Sequence, residues 1–169
     1  MNITKLTASD GFEFESYLVK PPSKPRGAIV VLQEIFGVNS HIRSICKRLV
    51  ENGYEVIAPA IFDRIQPSFE SGYTSEEVAR AKSLMQSFKI DTALLDLDAA
   101  REHVASSGNV GLVGFCLGGS LSWLAATRLN GFSCASSFYG GMVQQYAAEV
   151  ARCPVQFHYG VDDASIPAE

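Results

Sequence analysis

Five residues, Gly114-Phe115-Cys116-Leu117-Gly118, have the form G-x-C-x-G. That is the spacing of a nucleophile elbow with a thiol in place of the usual hydroxyl. A chain that reverses sharply from strand to helix strains its backbone at the apex. It also drives the positions two before and two after the apex into each other, so both must be glycine. The apex thiol would stand on the N-terminal end of a helix, where the dipole favours a thiolate. The Leu117 backbone N–H would face a developing oxyanion. The plain alternative is a small buried cysteine. A dinucleotide-binding glycine loop is the other rival. Residues 111–116 fit G-x-G-x-x-G only if Cys116 replaces the last glycine, and no acidic residue follows about 20 residues on at a strand end.

Two carboxylates hold corresponding places. Glu34 follows the apolar run AIVVLQ (28–33), and Asp163 follows PVQFHYG (154–160) in the turn Asp162-Asp163-Ala164-Ser165. An acid after a late strand orients the histidine of a nucleophile–acid–histidine triad. Either aspartate suits that role, and an Asx turn or helix cap is the ordinary use of such a residue. Glu34 either points into the site and pairs with the thiol or is a loop acid.

These residues need a frame. Phe12 to Leu18 alternates apolar and polar residues and reads as an antiparallel edge strand. Residues 28–33 form a β-branched run expected of a strand buried on both faces of a parallel sheet. A helix capped by Ser40 carries Ile42, Ile45, Cys46, Leu49 and Val50, and Asn52-Gly53 ends it. Residues 54–59 are the next strand. After a loop, Thr74 or Ser75 caps a helix, and Ser75 with Val78 makes no capping box. A further helix runs from about Asp91 to Ala105 and Gly108 closes it. Residues 109–115 form a strand, Leu117 to Leu129 a small-residue helix, and 134–140 and 154–160 two more strands. The alternation predicts an α/β fold with a mostly parallel sheet, helices on both faces, and ligands gathered at the carboxyl ends of the strands.

The 169 residues are expected to form one domain, 1–169; 47% are hydrophobic and the net charge is −4. No basic stripe points to nucleic acid, and no apolar run is long enough for a membrane span. The N-terminus lacks the pattern of a secretory signal, so the expected location is the cytoplasm. Cys46, Cys116, Cys134 and Cys153 show no metal-site spacing. No metal or cofactor is expected, and all but Cys116 read as core residues.

Together, VLQEIFGVNSHIRSICKRLVENGYEVIAPAIF (31–62), DLDAAREHVASSGNVGLVGFCLGGSLSWLAA (96–126) and FYGG with CPVQFHYGVDDASIP (138–167) resemble the dienelactone hydrolase family of the α/β-hydrolase superfamily. The resemblance implies a carboxymethylenebutenolidase-type hydrolase of small enol-lactones or esters, acting through an acyl thioester. It implies Cys116 as nucleophile and Asp163 as triad acid, preferred over Asp162 by its spacing to Ile166-Pro167. It further implies Glu34 as acceptor of the thiol proton when substrate binds, and Ile35 and Leu117 as oxyanion-hole amides. Arg80 lies in the helix that carries a substrate-binding arginine.

The superfamily order is nucleophile, acid, histidine, and six residues follow Asp163. The resemblance therefore implies a chain cut short of the catalytic histidine, the last strand and the last helix, with SIPAE starting a helix. Of the three histidines, His103 reads as a helix-surface residue, His158 as a strand residue and His41 as a helix-start surface residue. The alternative function is a non-catalytic α/β domain that binds a small carboxylate or a partner.

Overall fold

A computed structural model describes residues 2–166 of the chain. Seven strands form one sheet in the order β1-β2-β4-β3-β5-β6-β7. In chain order the elements are β1 (Ile3–Thr7), β2 (Glu13–Val19), β3 (Ala28–Leu32), α1 (Ser40–Glu51), β4 (Glu55–Pro59), α2 (Ser75–Leu84), α3 (Ile90–Val104), β5 (Val110–Phe115), α4 (Leu117–Arg128), β6 (Phe132–Phe138) and β7 (Val155–His158). β1 and β2 are antiparallel, as are β2 and β4. From β4 through β7 every neighbouring pair is parallel. The segment read as an edge strand is thus the second strand. The edge is β1, whose short alternation Ile3–Thr7 carries little signal, and it pairs Leu6 with Phe14 and Ile3 with Tyr17.

Every residue of β3 and β4 is buried. Their β-branched runs are covered on both faces, as parallel central strands must be. On one face α1 packs Ile42 and Cys46 against Tyr17, Ile29, Val31, Val56 and Ala58. On the other, α3 and α4 cover Val30, Leu32, Ile57 and Leu112 with Leu94, Leu97, Leu121 and Leu124. β5 alternates buried and half-buried residues. Its second face, like that of β6 and β7, has less cover, so Cys134 and Gln156 are exposed.

The α1 cap lies one residue before the Ser40 of the sequence reading, and the α2 cap is the first of the two residues it named. α1 is capped by Asn39, whose side chain accepts from Ile42 N–H, while Ser40 is its first helical residue. α2 is capped by Thr74, and Glu77 completes a capping box. A box does exist here, one residue earlier than the Ser75–Val78 pairing that lacks one.

A buried charge braces the far side of the sheet. Arg64 donates to Asp96 (2.8 Å) and to Asp10 (2.8 Å), and its guanidinium lies over the Phe12 ring. Asp96 is 0% exposed. Burial pushes its carboxyl up, and the Arg64 hydrogen bond pulls it partly back. Arg64→Met is expected to cost about 3–5 kcal/mol at neutral pH, because it leaves a buried carboxylate unpaired. Asp96 has a raised folded-state value, so its stability contribution is full at low pH and lost as pH rises through that value. Asp10 is held low by Arg64, so acid also removes what that bond contributes to the parent. The deficit of the variant should therefore shrink in acid, below the raised Asp96 value, where the buried carboxyl is protonated and needs no cation. Urea unfolding at neutral and acid pH checks it; an equal deficit at both would refute the argument.

Candidate active site

Cys116 sits between β5 and α4 with φ 55° and ψ −113°. A left-handed φ is rare for a residue with a Cβ and marks a strained apex. The strain is held by three backbone bonds. Cys116 N–H donates to the Phe138 carbonyl (3.0 Å), Gly118 N–H to the Gln33 carbonyl (3.0 Å), and Ser120 N–H to the Cys116 carbonyl (3.1 Å). The turn is therefore tied to β6, to the end of β3 and to the first turn of α4. A Cβ on Gly114 would lie 1.9 Å from the Gly118 carbonyl oxygen, and one on Gly118 would lie 2.5 Å from the Leu32 carbonyl oxygen. Both glycines are imposed by close approach of backbone to backbone.

The carboxyl ends of β3, β5 and β6 deliver Glu34, Cys116 and Tyr139 to one place. Glu34 is half-buried. Its Oε2 accepts from the Tyr73 phenol (2.8 Å) and its Oε1 from the Tyr139 phenol (3.3 Å). The Gln33 side-chain amide, 1% exposed, donates to the Glu34 carbonyl (3.2 Å). That fixes the Glu34–Ile35 peptide plane, and with it the direction of the Ile35 N–H. Among the described residues neither Ile35 N–H nor Leu117 N–H donates to a backbone carbonyl. The Leu117 N–H is directed at the Cys116 thiol, and the Ile35 N–H has no backbone acceptor.

The thiol is half-buried, and its resting state differs from the expectation of a helix-stabilised thiolate. Burial pushes the Cys116 thiol up, and the charges of Glu34 and Asp163 push it further; the Leu117 N–H pulls it down without prevailing. The desolvation of a thiolate beside two anions outweighs one helix N-terminus. The resting group is a thiol.

Asp163 is half-buried, and its Oδ1 accepts from Ser165 N–H (2.8 Å) and Ile166 N–H (3.3 Å). It therefore makes the Asx turn and also stands near enough for its charge to reach Cys116. Asp162 is exposed. Pro167 and the expected helix start at SIPAE extend beyond the described residues. Among the described residues no histidine hydrogen-bonds to Cys116 or Asp163. His158 stacks on Phe138 (4.1 Å between ring centres), and His41 meets the edge of Phe115 at 6.2 Å. His103 is exposed on α3. Arg80 lies on α2 with its guanidinium over Phe69, 5.5 Å from the ring centre.

The other cysteines divide. Cys46 is wholly buried, and burial pushes its thiol up to about 12. Cys153 is half-buried and packs against the core as expected, whereas Cys134 is exposed and is not the core residue expected. The reason is the thinly covered face of β6. A cavity of about 570 Å³ lies over the amino ends of β3, β5, β6 and β7, with Cys134 in its wall and neither Glu34 nor Cys116 among its lining. No described group of three or more His, Cys, Asp or Glu residues is arranged to hold a metal. No described helix is long and apolar enough to cross a membrane. Sequence reasoning missed Tyr73 and Tyr139, because no motif spacing links residues that reach Glu34 from 39 and 105 positions away.

The family model of dienelactone hydrolases matches residues 14–169. A carboxymethylenebutenolidase of Pseudomonas putida is 35% identical over 166 residues, which take in 94% of this chain and 70% of the relative. Carboxymethylenebutenolidase 1 of Cupriavidus pinatubonensis is 30% identical over 98% of this chain and 73% of its own. A Klebsiella pneumoniae crystal structure, named as a provisional dienelactone hydrolase, superposes with a TM-score of 0.80 at 30% identity, covering 98% of this chain and 75% of that one.

Proposed function

From the premise that this chain belongs to the dienelactone hydrolase family, with its α/β-hydrolase fold, we propose that it is a cysteine hydrolase of small enol-lactones or esters, acting through an acyl thioester on Cys116. The observation that carries the reading is the strained Cys116 apex, φ 55°, held at the strand ends with Glu34 beside it. The names of the relatives support the substrate class. Four free thiols suit a reducing compartment, the cytoplasm.

The chemistry follows from the positions. A bound acyl group displaces water, and the Cys116 thiol passes its proton to Glu34. The sulfur attacks the carbonyl carbon, and the C=O electron pair moves to oxygen, where the Ile35 and Leu117 amides receive it. Collapse breaks the ester C–O bond. The departing enolate or alkoxide takes the proton back from Glu34, leaving a thioester on Cys116. Water then cleaves the thioester. Asp163 is the residue to orient an imidazole for that step, and no described histidine hydrogen-bonds to it.

The expected result with p-nitrophenyl acetate is a burst of about one equivalent of nitrophenol per chain, then slow turnover. Mass spectrometry should place the acetyl group on the Cys116 peptide, and the same chain should open a dienelactone. The second reading is a non-catalytic α/β domain that binds a small carboxylate or a partner at the same strand ends. Saturable binding of a small carboxylate with no acyl adduct at Cys116 would favour it over hydrolysis.

A further inference from the structure

Two tyrosine hydroxyls reach the Glu34 carboxylate. Among the described residues no lysine, arginine or histidine forms an ion pair with it, and two phenols supply its side-chain hydrogen bonds, one to each carboxylate oxygen. We propose that Tyr73 and Tyr139 are positioning residues that clamp Glu34, one phenol per oxygen, and so set its place and basicity beside Cys116. The proposal rests on the reading of Glu34 as acceptor of the thiol proton.

Each phenol is itself placed with care. Tyr139 follows β6 with φ 41°, and its N–H donates to the His158 carbonyl (2.8 Å). Its ring lies 6.3 Å from that of Phe115, the neighbour of the nucleophile. The strained backbone aims a rigid side chain from the β6 end toward the β3 end. Tyr73 comes from the loop before α2. That loop is fastened to the β3–α1 connection by an isolated bridge between Gly37 and Glu70, by Ser71 N–H to the Phe36 carbonyl (3.0 Å), and by Asn39 Nδ2 to the Ser71 carbonyl (3.1 Å). Arg43 clasps Glu70 with both guanidinium nitrogens. The Tyr73 ring packs edge-on against Phe36 at 4.7 Å. Tyr73 is 55% exposed. More than half of the residue faces solvent, so the framework serves the placement of its hydroxyl, which reaches Glu34.

Both phenols are pushed above the ordinary tyrosine value, by burial first; for Tyr139 the Glu34 charge follows. They are therefore protonated donors at neutral pH. A carboxylate that accepts two hydrogen bonds is favoured over its acid form. It is also held in one orientation, a condition for a proton acceptor to meet a thiol. The titratable groups facing Glu34 are Tyr73, Tyr139 and Cys116, and Asp163 is felt at the same thiol.

The test needs no turnover. The rate of Cys116 alkylation by iodoacetamide is followed against pH in the intact chain, with the labelled peptide resolved by mass spectrometry so that exposed Cys134 does not interfere. The parent rate should fall toward acid pH along a limb whose midpoint the experiment reads. In Tyr73→Phe with Tyr139→Phe that limb should move up by about one pH unit or more, as two bonds to the anion are lost. Both changes keep the ring and remove one oxygen. Glu34→Gln should abolish the limb. A limb that stays in place in the tyrosine variants but vanishes in Glu34→Gln overturns the clamp and spares Glu34 as acceptor. A limb that survives Glu34→Gln overturns the acceptor reading, and the clamp with it.

Discussion

Cys116→Ala is expected to erase the acyl adduct and to lower ester hydrolysis by about 10⁴-fold or more, leaving only what binding and the amides supply. Cys116→Ser should fall nearly as far. A hydroxyl ionises far less readily than a thiol, and among the described residues no imidazole hydrogen-bonds to the site to take its proton. The obvious objection is that the alanine variant is merely misfolded. Cys116→Gly answers it. The apex has φ 55°, which alanine tolerates as poorly as cysteine and glycine tolerates freely. The glycine variant should be more stable than the parent by about 1 kcal/mol, yet equally inactive. A stable, inactive glycine variant separates the nucleophile from the fold. Retained nitrophenol release by either variant would move the nucleophile elsewhere, to Cys134 first, since it is the exposed thiol.

The resting protonation of Cys116 bears on the same experiment. Burial leads the upward push, so alkylation at neutral pH should be slower than that of an exposed thiol. A nucleophile that is quiet until substrate arrives is spared oxidation and stray alkylation. The helix N-terminus argues the other way and was the stronger expectation from sequence alone. Burial outweighs it first and the neighbouring charges add to that, and both are tertiary facts. Glu34 and Asp163 lie far from Cys116 in the chain, and only the sheet order brings their charges together.

The same division runs through the fold. The runs at Ala28–Leu32 and Glu55–Pro59 announce their burial in their own composition. The elbow announces itself by spacing, because two glycines and a reactive residue form a local device. β1 is silent, because Ile3–Thr7 becomes a strand only by pairing with Glu13–Val19. The α1 cap shifts to Asn39 because its position at the end of the β3–α1 loop, bound also to Ser71, is decided by contacts across 32 residues. Cys134 is exposed because the covering of β6 is uneven, which its own neighbours do not encode. Tyr73 and Tyr139 are ordinary residues in sequence, and only their hydrogen bonds mark them.

Gly114→Ala is expected to cost about 4 kcal/mol or more, near the limit for a single methyl group. The added Cβ would stand 1.9 Å from the Gly118 carbonyl oxygen, 2.3 Å from its carbon and 2.4 Å from the Ser122 hydroxyl. None of these is the end of a flexible side chain. The Ser122 hydroxyl is held by its own bond to the Gly118 carbonyl (2.8 Å), and Gly118 is pinned to β3 through the Gln33 carbonyl. Relief therefore requires α4 to move off β5, which would carry Cys116 and the Leu117 amide away from Glu34. Gly111→Ala, in the same strand, is the control. Its Cβ would meet the Cys134 sulfur at 3.6 Å and the Ala28 carbonyl oxygen at 3.9 Å, both ordinary contacts. It should leave stability within about 1 kcal/mol of the parent. Urea unfolding of the two variants, read beside the nitrophenol burst, distinguishes a strand that merely dislikes methyl groups from an elbow that has room for none. If Gly114→Ala folds with near-parent stability and still acylates Cys116, close contact at this turn is not what holds the nucleophile.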